Sequence, residues 1–273
     1  MNTPVRIWLV IWYLWACIRY RAIPWHYFQL NRRYFNARKG LFSKLDMDRL
    51  IPSSWRLNQY YYHPDTPPAR YPVFIKPEWG QNANGIILAK NLEEYRVFQS
   101  IARSSDLPFI VQEAAPGNQE FEIYFLRSTI PSGAWHFLSI TRVINTCRMR
   151  HPINSIHNPC TVYEDITPSI SPAGLGTIQG FMSQLAPFPM ARVGVKADAL
   201  SGLLAGRFHV VEINLFLPMP LVLLSKNVPW KKKKQIIRQT MSHAARLVKD
   251  IPRSEVREWI FFKKMTAHYK VIP

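Results

Sequence analysis

Short apolar runs separated by turn residues are the feature that most limits how this chain can fold. Each run has the length and composition of a β-strand and is followed within a few residues by Gly, Pro, Asn, Asp or Ser. The predicted strands cover residues 71–75, 86–89, 109–112, 121–126, 134–143, 192–196 and 208–213. Helical patterns cover residues 42–50, 92–102 and 174–185 and return after Trp230. Because strands follow one another in pairs between helices, the sequence predicts an α+β protein built from hairpins.

Positive charge is the second constraint. The 273 residues include 35 Lys and Arg against 17 Asp and Glu, a formal net charge of +18 at pH 7. Such a field attracts nucleotide triphosphates, anionic lipid, nucleic acid or acidic substrates, although any single basic cluster is equally explained as a solvated surface. The basic residues are spread over the chain and match no nucleic-acid-binding module, so specific nucleic-acid binding is not expected.

Cysteine usage bears on the compartment. Cys17, Cys147 and Cys160 are odd in number, far apart in sequence and without CxxC spacing. This pattern argues against a disulfide framework or a zinc site and predicts three buried free thiols in a reducing compartment.

The amino-terminal segment is unusually apolar. Residues 7–18 are all apolar or aromatic, and Arg6, Arg19 and Arg21 flank them. A helix of this length is too short to span a bilayer, which needs about 20 residues. Three interpretations stay open: a helix lying in the membrane interface, a buried core helix, or a membrane anchor or export signal.

Three regions are expected along the chain. Residues 1–40 form an aromatic and basic helical segment, residues 41–225 hold the motifs described below, and residues 226–273 form a basic helical tail that packs on them. Residues 58–70 are expected to be a linker and residues 151–168 a long polar loop.

A lysine ends the first predicted strand, and a loop of small residues follows it. Lys76 comes directly after apolar residues 73–75, and the loop over residues 80–85 contains Asn82 and Gly85. Backbone N–H groups of such a loop can approach phosphate oxygens, and the lysine adds a positive charge. This pattern indicates a phosphate-binding site.

Two further segments carry oxygen-bearing side chains. The strand over residues 109–112 continues into an extended stretch whose backbone edge can contact adenine, and Glu120 beyond it can bind ribose hydroxyls. Glu212 and Asn214 lie two residues apart on a predicted strand, so their side chains share one face. Such oxygen ligands suit Mg²⁺, whereas the alternative is an edge strand whose polar residues face water.

In this order and spacing, the motifs resemble the ATP-grasp superfamily, and within it bacterial proteins related to D-alanine–D-alanine ligase. The matching residues are Ser43 with Lys44, 74–77, 111–113, Gly117 with Glu120, Arg192, and 212–214. The resemblance covers about residues 40–225. It implies an α+β ATP-grasp fold of two lobes with the nucleotide between antiparallel sheets, and ATP and Mg²⁺ as cofactors.

The resemblance also implies an activity. ADP-forming ligases of this kind activate a carboxylate as an acyl phosphate, which an amine, a thiol or a related nucleophile then attacks. The implied partners are small-molecule substrates, and the basic residues favour anionic ones. A cytoplasmic enzyme is expected, with peripheral association at an anionic inner membrane face if the amino-terminal helix is interfacial.

Roles carry over residue by residue. The residues implied to bind the nucleotide are Lys44, Lys76, Asn82, Gly85, Gln112, Glu113, Ala115 and Glu120. Those implied to act at the reacting centre are Arg192, Lys76 and Arg142. Those implied to hold the metal are Glu212, Asn214 and Asp198. Phosphoryl transfer depends mainly on positioning and on neutralising negative charge, which lysines and Mg²⁺ supply.

The chain also departs from the family pattern. Gly194 occupies the position, two residues after Arg192, where the family usually has an acidic metal ligand, and Asp198 is the nearby candidate to replace it. Residues 1–40 are too short to form the usual amino-terminal domain, and residues 215–218 replace a small turn. Gly194 favours the alternative of a non-catalytic ATP-grasp-like module that binds nucleotide or a partner, and a nucleic-acid binder is the third hypothesis.

The polar loop is the expected cover of the acceptor side. Arg142, Arg148 and Arg150 precede residues 151–159, and such a basic rim suits an anionic substrate, whereas an exposed loop with solvated arginines is the alternative.

Overall fold

The computed structural model of the chain describes residues 3–78, 83–102, 108–128, 133–252 and 258–269. Over these residues, nine strands form two sheets in which every paired strand is antiparallel. The prediction of an α+β protein with antiparallel sheets is therefore confirmed.

The elements have these bounds. The helices are α1 (Thr3–Tyr20), α2 (Lys44–Asp48), α3 (Leu92–Ala102), α4 (Pro172–Ser183), α5 (Leu200–Leu204), α6 (Trp230–Lys249) and α7 (Ile260–Tyr269). The strands are β1 (Gln59–Tyr61), β2 (Val73–Pro77), β3 (Ile87–Ala89), β4 (Phe109–Glu113), β5 (Gln119–Arg127), β6 (Trp135–Asn145), β7 (Thr161–Asp165), β8 (Met190–Ala197) and β9 (His209–Asn214).

The smaller sheet has the strand order β1-β4-β2-β3, and α3 covers one of its faces. Tyr95 and Phe98 of α3 are fully buried against Val73 and Ile75 of β2. Because side chains alternate along a strand, Phe74 and Lys76 face the other way, toward the larger sheet.

The larger sheet has the order β7-β6-β5-β8-β9. One face packs against α4 and α5 through a continuous apolar core that includes Phe121, Ile123 and Phe125. The other face is divided. At one end Tyr124 and Leu126 pack under α6, whereas at the other end the sheet carries polar residues and faces the smaller sheet.

Two short strands lie where no regular structure was expected. β1 falls inside the predicted linker 58–70, and β7 falls inside the predicted loop 151–168. Both are edge strands of three and five residues, and each is held by pairing with a longer neighbour, β4 or β6. Such strands gain their stability from tertiary pairing, which local sequence does not show.

The cysteine prediction is corrected at two positions. Cys147 and Cys160 form a disulfide, with their Cα atoms 5.5 Å apart. The pairing of β6 with β7 brings Asn145 opposite Thr161, which places the two cysteines side by side just beyond the last pair. Cys17 is buried and free as predicted. The inference of a reducing compartment therefore loses its basis.

Helix α1 is not a buried core helix. Val5, Ala16 and Cys17 pack against α6, while much of the opposite face is exposed. Among the helices of the described residues, none has the length and apolarity needed to cross a membrane.

Candidate functional site

A single cleft between the two sheets brings together residues that are distant in sequence. The cleft is partly open to solvent. Predicted site residues on the α2 and smaller-sheet side are Lys44, Lys76, Gln112 and Ala115. Predicted site residues on the larger-sheet side are Glu120, Arg192, Glu212 and Asn214.

Lys76 is buried at the end of β2. Its Nζ donates to Oε1 of Gln112 at 2.8 Å and lies 3.5 Å from the carbonyl oxygen of Val211. Burial lowers the pKa of Lys76 to about 8, while the nearby carboxylate of Glu212 acts in the opposite direction. An ammonium group this poorly solvated favours the arrival of an anion.

Lys44 stands beside it on α2. Ser43 begins this helix, because its hydroxyl accepts a hydrogen bond from the backbone N–H of Asp46. The Nζ of Lys44 donates to the carbonyl oxygen of Pro77 at 2.6 Å. Burial, together with the positive charge of Lys76, lowers the pKa of Lys44 to about 7.

Gln112 connects the two sheets. Besides accepting from Lys76, it donates through Nε2 to Oε1 of Gln59 and to the carbonyl oxygen of Val211, both at 3.2 Å. Its side chain therefore links β4 to β1 and β9. Ala115, just past β4, lines the cleft beside it.

The larger sheet presents an ordered row of polar side chains across the cleft. Glu122, Gly194 and Glu212 lie opposite one another on β5, β8 and β9, and Arg192 lies opposite Asn214. Arg192 Nε is 3.1 Å from Glu122 Oε2, and its Nη2 is 3.6 Å from Glu212 Oε1. Asn214 Nδ2 donates to Glu212 Oε1 at 2.6 Å. The guanidinium therefore lies between two carboxylates.

Gly194 provides the room for this row. A β-carbon at residue 194 would lie 3.2 Å from Cγ of Glu212 and 3.3 Å from Oε1 of Glu122. Both contacts are tighter than ordinary van der Waals contacts, so a side chain here would crowd the two glutamates. The Glu122 carboxylate can therefore occupy its position because residue 194 has no side chain.

The carboxyl groups are strongly perturbed. Burial raises the pKa of Glu122 to about 8 against the opposing charge of Arg192. Burial also raises the pKa of Glu120 to about 7. Burial acts on Glu212 in the same direction, but Arg192 and Lys76 outweigh it and hold the pKa of Glu212 below its usual value. Clustered carboxyl groups with shifted pKa values are typical of functional sites.

Four predicted site residues of the described part of the chain do not line the cleft, and they are Arg142, Glu113, Asp198 and Gly85. Arg142 projects from the opposite face of the larger sheet and donates through Nε to Oε2 of Glu164 at 2.8 Å. Glu113 faces away from Gln112, and its Oε1 accepts from the backbone N–H of Asn58. Asp198 is exposed in the bend between β8 and α5 and does not line the cleft. The cleft therefore gives no support to the roles implied for Arg142, Glu113 and Asp198.

The predicted phosphate loop is described only in part. Asn82 lies outside the described residues, whereas Ala83 and Asn84 line the cleft. Gly85 adopts a positive φ of 71° that turns the chain into β3, and it does not itself line the cleft.

Sequence reasoning missed Glu122 and Lys196, which line the cleft. Tyr163 and Asn154 also line it, and both belong to the segment that was expected to cover the acceptor side. Asn154 belongs to the polar loop and donates through Nδ2 to Oε2 of Glu120 at 2.9 Å, so this loop covers one side of the cleft. Glu122 carries a signal that could have identified it, because it follows Glu120 by two residues on a strand, as Asn214 follows Glu212.

Magnesium is compatible with this set of donors. Among the described residues, no group of three or more His, Cys, Asp and Glu side chains is arranged to hold a metal ion. Mg²⁺ seldom needs such a cage, since it usually binds one or two carboxylates together with water and substrate phosphates. Glu122, Glu212 and Asn214 meet that requirement around the space left by Gly194.

Comparison with known proteins gives matches in structure only. No protein-family model and no curated protein sequence matches the chain. Its fold is similar to an L-amino acid ligase from Bacillus licheniformis, at 17% identity and a TM-score of 0.47, covering 73% of this chain and 47% of that one. It is also similar to a D-alanine–D-alanine ligase from Bacillus anthracis, at 11% identity and a TM-score of 0.49, covering 84% and 69%.

A third similar structure is the VanG D-Ala:D-Ser ligase from Enterococcus faecalis, at 13% identity and a TM-score of 0.51, covering 80% of this chain and 70% of that one. This chain thus spans about half the length of the first ligase and over two thirds of the other two. At such low identity the similarity concerns the fold alone. The chain has an ATP-grasp fold, with two antiparallel sheets around a cleft, that resembles the VanG ligase.

Proposed function

We propose that the protein is an ATP-dependent ligase that activates a carboxylate as an acyl phosphate for attack by an amine or a related nucleophile, with release of ADP. The main support is the cleft itself, in which the buried Lys76 and the half-buried Lys44 face a row of carboxylates and an arginine. A triphosphate and its cation are the ligands that would compensate both sets of charges.

The lysine side would bind the phosphates. Lys44 and Lys76 are held close together although burial disfavours the charge of each. Bound phosphate would restore both charges by supplying the missing counterions. Ala115 and the adjoining backbone would contact the adenine, while the Gln112 side chain keeps the two sheets in register.

The carboxylate side would hold Mg²⁺ through Glu122, Glu212 and Asn214. The support for including Glu122 is its position beside Gly194, where it can substitute from the neighbouring strand for the acidic side chain absent at 194. When bound, Mg²⁺ neutralises negative charge on the phosphate oxygens.

Arg192 would stabilise negative charge on the reacting carbonyl oxygen. Burial alone would lower its pKa, but Glu122 and Glu212 raise it above the usual value, so the guanidinium stays protonated at every relevant pH. The same two carboxylates fix its orientation through the contacts described above. A pre-oriented cation of this kind is an effective means of stabilising a developing oxyanion.

The substrates would enter on the side covered by the polar loop. Asn154 and Tyr163 line this side, and Lys196 extends from β8 toward it. The positive charge of Lys196 favours an anionic substrate, in agreement with the net charge of the chain.

Incubation of the full chain with Mg-ATP and pools of carboxylic acids and amines tests this function. We expect release of ADP and phosphate that requires both a carboxylate and a nucleophile, and loss of this release in Lys76→Ala and Glu212→Ala. Wild-type rates in both variants would exclude the assigned site.

Gly194 supports a second candidate, a module that binds nucleotide without turnover. Nucleotide binding by the wild-type chain with no ADP release from any pool would favour this candidate. Circular dichroism and thermal unfolding of each variant would separate a lost function from a lost fold.

A further inference from the structure

An apolar stripe runs along the outer face of α1. Its members recur every three or four residues, and each is at least 43% exposed. They are Ile7, Val10, Ile11, Leu14, Trp15 and Ile18. At 100° per residue they fall within an arc of about 140°. This face is wider than the scattered apolar residues of an ordinary protein surface.

Packing against α6 fixes the orientation of the stripe. Val5 and Ala16 on the opposite face of α1 are buried. Cys17 at one edge of the stripe is buried as well, and Trp8 and Trp12 beyond the other edge are partly buried. The helix therefore cannot turn its outer face inward without exposing the residues that now pack on α6.

The two helices that form this surface carry charge of one sign. α1 contains two arginines, α6 contains seven lysines and arginines, and neither helix contains Asp or Glu. Cationic groups lie on the indole rings that border the stripe. Lys234 is 5.1 Å from the ring centre of Trp8, Arg238 is 5.2 Å from that of Trp12, and Arg19 is 5.8 Å from that of Trp15.

We propose that the stripe and its basic border dock the protein on an anionic lipid bilayer, with α1 parallel to the surface. Apolar residues would enter the acyl region, indole rings would lie at the interface, and Lys and Arg would contact the headgroups. A nucleic acid would satisfy the charges but leave the apolar stripe in water. A second copy would cover the stripe but bring two basic surfaces together.

Flotation of the full chain with vesicles tests the proposal. Vesicles of phosphatidylcholine mixed with phosphatidylglycerol should bind it, vesicles of phosphatidylcholine alone should bind it much less, and salt should weaken binding. Leu14→Glu should reduce the partition constant by roughly tenfold or more, because it places a charge in the acyl region. The matched control is Val97→Glu on α3, where an exposed valine outside the stripe should be replaceable without effect.

A second measurement detects membrane contact of the wild-type chain directly. Brominated acyl chains should quench tryptophan fluorescence in anionic vesicles, and Trp15→Phe should reduce the quenched fraction. Absence of binding to anionic vesicles would overturn the proposal, as would equal binding by wild type and Leu14→Glu. A dimer in sedimentation velocity that Leu14→Glu dissociates would assign the stripe to a second copy instead. None of these results depends on the ligase activity.

Discussion

The two walls of the cleft differ in the charged groups that they present. Lysines lie on the wall formed by α2 and the smaller sheet, whereas glutamates lie on the wall formed by the larger sheet. On one wall, burial weakens the ammonium charges of Lys44 and Lys76. On the other, burial weakens the carboxylate charges of Glu120 and Glu122. The space between the two walls is partly open to solvent. The metal–nucleotide complex that we propose as the ligand carries charges of both signs and would compensate both walls.

The largest effect is expected on the lysine wall. Lys76→Met should weaken binding of Mg-ADP on the order of 100-fold, because a buried charged donor to the phosphates is lost. Titration calorimetry would measure the affinity. Lys90→Met, at an exposed lysine of similar length, is the control and should bind like wild type. Equal loss in both variants would mean that general charge, and not the cleft, governs affinity.

On the carboxylate wall, Glu212→Gln should separate metal binding from nucleotide binding. Mn²⁺ affinity, followed by electron paramagnetic resonance, should fall by about 10- to 100-fold, as is usual when a metal site loses supporting groups. Metal-free ADP should bind as it does to the wild-type chain. If Glu212→Gln weakened the binding of metal-free ADP to the same extent, Glu212 would not act through the metal alone.

Moving a carboxylate from residue 122 on β5 to residue 194 on β8 tests the proposed metal-binding role of Glu122. Glu122→Gly should weaken Mn²⁺ binding by about tenfold, and adding Gly194→Asp to it should restore most of the affinity, since the carboxylate returns to the same space. Gly194→Asp alone would crowd the two glutamates. Asp198→Asn is the control and should change nothing. Failure of the double variant together with a large effect of Asp198→Asn would return the metal role to Asp198.

The smallest expected effect is a pH dependence set by the lysine wall. With the pKa of Lys44 lowered to about 7, this residue is charged below that pH and increasingly neutral above it. Phosphate binds the charged form more tightly, but the neutral amine can still donate a hydrogen bond, so ADP affinity should fall by only about fivefold in total as pH rises from 7 to 9. Lys44→Met should flatten this profile. An unchanged slope in that variant would assign the dependence to another group.

Local sequence predicted the parts of this structure that depend on one segment at a time. The strand that ends in Lys76 and the spacing of Glu212 and Asn214 both follow from the period of two, and the cleft brings these residues together. Cys17 was likewise recognised as a buried thiol.

The parts that were missed depend on which strands are neighbours. Glu122 lies beside Gly194 only because β5 pairs with β8 in that register, and Cys147 meets Cys160 only because β6 pairs with β7. Arg142 was assigned to the cleft, but its position on β6 points it to the opposite face. A shift of one residue moves a side chain from one face to the other, so face assignment requires tertiary information.

The most direct test of the account is a crystal structure of the full chain with a non-hydrolysable ATP analogue and Mn²⁺. Anomalous scattering should place manganese among the oxygens of Glu122, Glu212 and Asn214, with the phosphates against Lys44 and Lys76. Nucleotide bound outside this cleft, or manganese bound away from the larger sheet, would contradict it.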